Sequence, residues 1–354
     1  MTASRRLPNP RADARFWLLA VWGLGCAGAS PVVPVEDGRL LMGTPLDLAL
    51  LVQRGEEGRA REAIANAFES VSGLEYVASR YRAASDLARL NAAAGQGDVE
   101  IDARLHALLR RAEQARRSTG SAFDVSVGPL VELWARAAER DRVPDAAELA
   151  AAMQLVGRPV ALGSFEQGYW ARLDAVGMSI DLGGLAKGFA LDRVAAELRA
   201  AGFRRGLLSF GQSSVWALGR PVDGPAWRLA VQDDEGGGLG VVELCDQALS
   251  VSSSLGKSST IAGQRYGHVV DPRSGLALRD ARRAIVVTRD ATLAEVLSTA
   301  LLVLSEAEGR RMVQAENAEA RVFRTDGSAW QTPGWQSEKC SLSPASAAAA
   351  AQPG

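Results

Sequence analysis

Residues 177–200 have the sequence GMSIDLGGLAKGFALDRVAAELRA, and the change of pattern within this stretch decides the fold class. Residues 177–181 are typical of a short strand. Residues 185–200 carry apolar side chains at helical spacing and are followed by Gly202, a common residue at the end of a helix. The stretch therefore predicts a strand, a glycine turn and one strong helix.

Outward from this helix, the chain changes character. Before it, four segments have helical periodicity: residues 57–72, 102–117, 131–140 and 146–156. Around and after it, short apolar segments bounded by turns predict strands at residues 171–175, 206–210, 227–231, 240–243, 248–252 and 284–288, before a last helix at 293–304. Because these strands do not alternate strictly with helices, we expect an α+β fold with an antiparallel or mixed sheet and packed helices.

The composition limits the chemistry that the protein can perform. The 354 residues include 40 Lys and Arg against 41 Asp and Glu, a balance that argues against a nucleic-acid-binding protein. Three cysteines and two histidines exclude a cysteine-rich zinc site or one with several imidazoles. His106 lies in a predicted helix without an acidic neighbour, which indicates a structural role. Catalysis must use carboxylates, hydroxyls, backbone groups and at most one imidazole.

The first 29 residues are predicted to be an export signal. Four arginines precede an uncharged run over residues 16–29, which is shorter than the roughly 20 apolar residues that span a bilayer. Ala27-Gly28-Ala29 fits an ordinary signal-peptidase site, whereas Cys26 resembles a bacterial lipoprotein site, and the sequence leaves both open. It also leaves open an uncleaved anchor and the choice between the general and the twin-arginine export routes.

We therefore expect an exported, periplasmic protein, whose one attachment to the inner membrane would be a lipid on Cys26. The folded domain is predicted to span residues 35–332. Residues 341–354 consist almost entirely of Ser, Ala and Pro, a composition that predicts a disordered tail.

The turn at Gly183 and Gly184 can bring a ligand close to the backbone, because glycine has no side chain in the way. The free N–H groups of the helix start suit an anion, and Lys187 adds a positive charge. Asp181 could hold a hydroxyl group or a metal ion. A purely structural turn is the alternative interpretation.

Two further segments carry chemistry. Residues 266–275, YGHVVDPRSG, predict a strand at Val269 and Val270 and a turn from residue 272 to 275, which place the imidazole of His268 beside a turn. Glu295 and Thr299 lie four residues apart on one face of an apolar helix, and their oxygens suit a hard cation such as Mg²⁺. A structural histidine and a polar edge at the helix start are the alternatives.

Seven motifs, taken in order, resemble the ApbE family, the bacterial FAD:protein FMN transferases. They comprise residues 42–44, Tyr81 with residues 85–91, and residues 119–126, 181–192, 227–233, 268–275 and 294–300. The resemblance covers about residues 41–324, most of the expected mature chain. It implies an α+β fold that binds FAD and Mg²⁺ and transfers FMN to a Ser or Thr hydroxyl of a partner flavoprotein, releasing AMP.

By position, the resemblance also implies the role of individual residues. The FAD site would be lined by Met42, Tyr81, Ala122, Phe123, Asp124, Asp181 and Lys187. Mg²⁺ would be held by the backbone carbonyl of Gly184 and by the side chains of Glu295 and Thr299. His268 would be the catalytic base, and Asp271 would shape the loop that carries it.

The chain departs from the family pattern at three places. Glu295 stands where the family usually has Asp, one methylene shorter. Gln212 follows Gly211 where a second glycine is usual, and Val251-Ser252-Ser253 replaces the usual Thr-Ser-Gly. Two other functions therefore stay open: a non-catalytic exported FAD-binding protein, and an FAD pyrophosphatase that yields FMN and AMP.

Overall fold

The computed structural model describes residues 32–234 and 236–335. The predicted signal peptide, Cys26 and the predicted tail lie outside these residues. The helices are α1 (Glu57–Ala78), α2 (Asp86–Ala92), α3 (Ala103–Ser118), α4 (Gly128–Glu139), α5 (Ala146–Met153), α6 (Ala186–Ala200), α7 (Ala291–Val303) and α8 (Glu306–Ala315). The strands are β1 (Val32–Leu41), β2 (Thr44–Gln53), β3 (Val99–Ile101), β4 (Ala161–Phe165), β5 (Gly168–Arg172), β6 (Gly206–Phe210), β7 (Ser214–Leu218), β8 (Trp227–Gln232), β9 (Gly238–Leu244), β10 (Gln247–Ser253), β11 (Ser258–Ile261), β12 (Gln264–Gly267), β13 (Arg283–Thr288), β14 (Glu319–Phe323) and β15 (Ala329–Gln331).

The main sheet has eight strands in the order β1-β2-β6-β7-β10-β13-β14-β15. Every neighbouring pair is antiparallel, so the α+β fold with an antiparallel sheet is confirmed. All five residues of β7 are buried, because both faces of the sheet centre are covered. Since successive side chains of a strand point to opposite faces, each central strand contributes to two cores.

The helical face of the sheet carries the larger core. There Leu208 of β6 and Trp216 of β7 join apolar side chains of α1, α6 and α7 in one cluster. On the opposite face, Val215 of β7 and Ile285 of β13 belong to a second cluster, which the β8–β9 hairpin covers with Trp227. The helices α6 and α7, which carry the predicted site residues, are therefore fixed against the middle of the sheet.

A third, smaller core supports the segment around His268. It joins α4 and α5 to the β11–β12 hairpin through Trp134 and Tyr266, whose ring centres are 5.0 Å apart. The Trp134 indole Nε1–H donates a hydrogen bond of 2.9 Å to the carbonyl oxygen of Gly275. This contact ties the end of the 268–275 loop to α4.

Three sequence predictions need correction. The strand expected at residues 177–181 is wrong, because the side-chain amide of Asn91 takes both main-chain groups of Ile180 at 2.8 and 3.1 Å, in place of a neighbouring strand. The strand at residues 269–270 is reduced to a single bridge from Val270 to Ala277. The helix expected to end before Gly73 continues to Ala78, since Leu74 and Val77 extend its buried face.

The other expected helices and strands are present with ends shifted by a few residues. His106 is stacked on the ring of Tyr169 at 4.4 Å between ring centres, which supports its structural role. Within residues 32–234 and 236–335, the helices are all too short or too polar to cross a membrane.

Candidate active site

The turn before α6 is held in shape by Asp181. One carboxylate oxygen of Asp181 accepts a hydrogen bond of 2.8 Å from the Gly183 N–H, and the other is paired with the guanidinium of Arg80. The Asp181 N–H donates to the carbonyl oxygen of Val125 at 2.8 Å, which joins this turn to the 119–126 segment. Both oxygens of Asp181 are therefore engaged in hydrogen bonds that order the turn.

Helix α7 brings Glu295 to the start of α6. The Glu295 side chain is only 3% exposed, and its Oε1 accepts from the Lys187 ammonium and, at 2.5 Å, from the Ser214 hydroxyl. Its Oε2 accepts from the Gly188 N–H at 2.9 Å. An oxygen with two lone pairs and two donors is fully used, so Lys187 holds Oε1 while one lone pair of Oε2 is left.

The three residues that would hold a metal lie together. A methyl group placed on Gly184 would stand 3.7 Å from the Thr299 hydroxyl oxygen and 3.0 Å from the Phe123 ring. Thr299 lies one helical turn beyond Glu295 on α7, and its hydroxyl oxygen is 3.4 Å from the Ser252 hydroxyl. The glycine turn, the carboxylate and the hydroxyl thus share one small region between α6 and α7.

These residues fit a hard cation by the chemistry of their donors. A carboxylate, a hydroxyl and a backbone carbonyl are the oxygen ligands that Mg²⁺ takes, usually completed by water and substrate phosphates. Among the residues that the structure describes, there is no group of three or more His, Cys, Asp or Glu side chains that could hold a metal. The donor set suits an oxygen-ligated ion, which would bind at the open lone pair of Glu295 Oε2 or take the place of Lys187 at Oε1.

The 122–124 segment forms a buried wall beside the glycine turn. Ala122, Phe123 and Asp124 are 2%, 6% and 4% exposed. Oδ1 of Asp124 accepts from the N–H and hydroxyl of Ser126 at 2.8 and 2.7 Å, while Oδ2 has no hydrogen-bond partner among the described residues. Burial raises the pKa of Asp124, and the Ser126 hydrogen bonds oppose the rise. The unpartnered Oδ2 is an acceptor suited to an N–H or O–H group of a ligand.

Two of the predicted FAD residues lie at the rim. Tyr81 is 91% exposed, and the guanidinium of Arg80 lies 5.8 Å from its ring centre while it also binds Asp181. Met42 lies in the tight β1–β2 turn with φ 48°, packed in part against the main core. The same turn lies against Gly211, whose N–H donates to the Pro45 carbonyl oxygen at 2.8 Å.

His268 lies directly after β12, with its ring oriented by the backbone. The ring Nδ1 is 3.0 Å from the carbonyl oxygen of Lys257. Because a carbonyl oxygen only accepts hydrogen bonds, Nδ1 carries the proton in this contact and Nε2 keeps a free lone pair. Although the residue keeps exposed surface, partial burial of its ring lowers its pKa below the usual range.

Asp271 orders the loop that carries the imidazole. Its Oδ1 accepts from the main-chain N–H of Arg273 at 2.9 Å, and its backbone carbonyl accepts from Gly275 at 2.8 Å. The carboxylate of Asp181 is close enough to His268 to raise its pKa slightly against the desolvation. The hydrogen bonds of Asp271 therefore order the 268–275 loop, which carries His268.

The structure shows the surroundings of the positions that depart from the family pattern. Gln212 has φ 62°, a left-handed conformation that favours glycine, and its side chain is exposed. Ser252 keeps a hydroxyl at the site, 2.8 Å from Ser298 and 3.4 Å from Thr299. Val251 itself packs against the second core, on the opposite face of the sheet from Ser252.

Sequence reasoning missed three residues at this site. Ser214 binds both Lys187 and Glu295, Arg80 binds Asp181, and Asp192 caps α7 from α6. The signal for Asp192 was its place inside the 181–192 motif, and Arg80 directly precedes Tyr81 in the chain. Ser214 had none, because its partners are 27 and 81 residues away in the chain.

Comparison with known proteins places this arrangement in a family. Residues 42–323 match the ApbE family. The chain is 30% identical to the FAD:protein FMN transferase of Treponema pallidum, over 83% of this chain and 87% of that protein. It is also 30% identical to the FAD:protein FMN transferase of Rhodobacter capsulatus, where the match covers 91% of this chain and 62% of that longer protein.

The fold comparison agrees with the sequence comparison. The crystal structure of the ApbE protein from Thermotoga maritima superimposes with a TM-score of 0.76 at 24% identity, over 87% of this chain and 99% of that one. At that identity the likeness supports the fold alone, whereas the sequence match over most of the chain supports the family. The chain belongs to the ApbE family.

Proposed function

We propose that the protein is an Mg²⁺-dependent FAD:protein FMN transferase that acts on a Ser or Thr hydroxyl of an exported flavoprotein and releases AMP. One observation carries the proposal: Glu295, Thr299 and Gly184 meet at the start of α6, together with Lys187. Oxygen donors, an ammonium group and a helix N-terminus in one place suit the pyrophosphate of a dinucleotide. The names of the relatives supply the reaction.

FAD binding would use Lys187, Asp124 and Tyr81. Lys187 is the ammonium group nearest the helix start and would bind a phosphate oxygen as a point charge. The open Oδ2 of Asp124 would accept a hydrogen bond from the nucleotide, and the exposed Tyr81 ring offers a surface for stacking. These contacts orient FAD without themselves breaking a bond.

The metal ion would be held by Glu295, Thr299 and the carbonyl of Gly184. When bound, Mg²⁺ supplies positive charge to the phosphate oxygens on which negative charge develops. The protein contributes a buried carboxylate, which strengthens its attraction for a cation because little water screens it.

His268 would take the proton from the incoming hydroxyl. The acceptor oxygen forms a bond to the FMN phosphorus, and the bond from that phosphorus to the oxygen bridging to AMP breaks. The hydroxyl proton passes to Nε2 of His268, which is free because Nδ1–H donates to the Lys257 carbonyl. AMP leaves with the bridging oxygen, so atoms and charge balance.

Product analysis tests this proposal. The purified protein is incubated with FAD, Mg²⁺ and a recombinant flavoprotein acceptor, and mass spectrometry measures both nucleotide and acceptor. We expect acceptor carrying FMN together with AMP. Free FMN with AMP would indicate a pyrophosphatase, and bound FAD with neither product would indicate a non-catalytic binder, which the internal pairing of Glu295 with Lys187 favours as the second candidate.

The His268→Ala variant sharpens the test. We expect it to lower transfer by about a hundredfold or more, the typical contribution of a general base, while FAD binding is kept. His106→Ala is the matched control, because that imidazole is stacked on Tyr169 and should leave the rate unchanged. Transfer by His268→Ala at the parental rate would exclude His268 as the base.

We further propose that the protein is exported, with Cys26 as a site of lipid attachment. The basic start and short uncharged run support export. Expression in a Gram-negative host with labelled palmitate should give a labelled, membrane-associated protein that becomes soluble in the periplasm after Cys26→Ser. Equal distribution of both proteins, without label, would contradict lipidation.

A further inference from the structure

Helices α6 and α7 cap each other. The residue before α6, Leu185, has no side-chain group to cap the helix, and Glu295 of α7 accepts from the Gly188 N–H at 2.9 Å in its place. In return, Asp192 of α6 accepts from the N–H of Ala291 at 2.7 Å. The start of each helix is therefore satisfied by a carboxylate of the other helix.

Asp192 holds α7 by three hydrogen bonds. Its Oδ1 accepts from Ala291, and its Oδ2 accepts from the N–H of Thr292 at 2.9 Å and from the Thr292 hydroxyl at 2.5 Å. The next N–H, of Leu293, is capped within the helix by Asp290 at 2.7 Å. The first three N–H groups of α7 are thus all occupied, two of them by a residue from another helix.

The crossing of the two helices leaves little room for adjustment. A methyl group on Gly188 would clash with the carbonyl of Ala291 and the Cα of Thr292, so the backbones are in direct contact there. Asp192 lies one turn further along α6. A shift of α7 along its axis would lengthen the Asp192 hydrogen bonds to Ala291 and Thr292.

The position of Asp192 costs stability. Burial and the neighbouring Asp290 carboxylate raise the pKa of Asp192 to about 7, against the lowering by its hydrogen bonds to Ala291 and Thr292. Asp290 is itself paired with Arg111 and would be a sufficient N-cap for α7 alone. A second buried carboxylate at the same helix start is therefore explained better by placement of the helix than by capping.

We propose that Asp192 is a positioning residue that fixes α7, and through it the cation ligands Glu295 and Thr299. Glu295 lies three residues and Thr299 seven residues beyond Thr292, about 4.5 and 10 Å along the helix axis. Since Mg²⁺ tolerates little distortion of its ligand geometry, a small shift of α7 weakens binding. The proposal rests on the proposed function, which requires a cation at these ligands.

Direct measurement of Mn²⁺ binding to the purified full-length protein tests this role. We expect Asp192→Asn to raise the dissociation constant for Mn²⁺ about tenfold, the usual effect of losing a partner that orients a ligand, with native circular dichroism. Thr292→Val, which removes one of the three hydrogen bonds, should give a smaller rise in the same direction. The second variant serves where Asp192→Asn fails to fold.

Ser305→Ala is the matched control. It removes the N-cap of α8, which carries none of the site residues, and should lower the melting temperature without changing Mn²⁺ affinity. Asp192→Asn and Thr292→Val with wild-type Mn²⁺ affinity, or a wild type that binds no Mn²⁺, would overturn the positioning role. Failure of the proposed function is recognised separately, as wild-type protein that binds Mn²⁺ in an Asp192-dependent way and transfers no FMN.

Discussion

At the scale of single residues, His268 is held by a backbone carbonyl, whereas His106 is stacked on the ring of Tyr169. The Nδ1 of His268 is fixed on the Lys257 carbonyl, and desolvation by burial lowers the pKa of the ring below the ordinary value of 6.5. A base must be neutral to accept a proton, so activity falls as the pH drops through this pKa. A lowered pKa therefore keeps His268 competent into mildly acid solution.

The expected pH profile follows from the direction in which the pKa of His268 is shifted. We expect the acid limb of FMN transfer to have its midpoint below the ordinary histidine pKa of 6.5. Initial rates measured between about pH 5 and 8 at saturating FAD check the expectation. A midpoint above 6.5 would mean that the limiting base is another group, or that His268 is protonated more easily than its surroundings indicate.

Lys187 is expected to compete with the cation for Glu295. In Lys187→Gln the buried carboxylate loses its ammonium partner, so a divalent ion should bind it more tightly without nucleotide, by on the order of tenfold. We expect Mn²⁺ to raise the melting temperature of this variant more than that of the wild type, while FAD affinity falls. Differential scanning fluorimetry with and without Mn²⁺ measures the effect.

Arg172→Gln is the control for that experiment. It removes two exposed ion pairs, with Asp98 and Asp174, on a strand of the separate three-stranded sheet β3-β5-β4, and should leave the response to Mn²⁺ unchanged. If Mn²⁺ raised the melting temperature of Lys187→Gln and of the wild type equally, Lys187 would not compete with the cation for Glu295.

The sequence predicts part of this chemistry and misses the rest for a physical reason. The grouping of Gly184, Glu295 and Thr299 is an expectation of the family resemblance, and the structure places them within one region. The pairing of Glu295 with Lys187 and Ser214 was not anticipated, because it joins α7 to residues 108 and 81 positions away. A side chain that is one methylene longer reaches these donors, which spacing alone does not reveal.

At the scale of elements, the contact between α6 and α7 depends on Gly188. In Gly188→Ala the added methyl group overlaps backbone atoms of Ala291. Because backbone atoms cannot rotate away as a side chain can, the two helices must separate. We expect a loss of about 1–3 kcal/mol in the free energy of unfolding, typical of overpacking, and weaker Mn²⁺ binding. Urea denaturation and Mn²⁺ titration of the same preparation check both.

Gly58→Ala provides the matched substitution. Gly58 is also helical, in α1, and has no atom within 4 Å of an added methyl group among the described residues, so alanine should leave stability unchanged or raise it. If Gly188→Ala is as stable as Gly58→Ala, the close crossing of α6 and α7 is not as described.

Elements with a strong period were predictable, and elements defined by distant partners were not. Helices α3, α6 and α7 follow from their apolar spacing and caps. The segment at residues 177–181 has the composition of a strand, yet its hydrogen bonds go to the Asn91 side chain. Composition cannot show which group takes a backbone hydrogen bond.

At the scale of the whole molecule, the proposed cation site and the proposed base are supported by different cores. Glu295, Thr299 and Lys187 belong to helices packed on the main sheet, whereas His268 follows the β11–β12 hairpin on the smaller core with α4 and α5. A transferase needs its cation ligands and its base at the same phosphorus atom. The fold must therefore keep the two cores at a fixed distance and orientation.

The crystal structure of the protein with FAD and Mn²⁺ tests the central claim most directly, because the anomalous signal of Mn²⁺ locates the ion. We predict a single strong peak within about 2.5 Å of the Glu295 carboxylate, the Thr299 hydroxyl and the Gly184 carbonyl, with Lys187 on an FAD phosphate. FAD bound with no peak at these ligands and with Lys187 still paired to Glu295 would contradict the account.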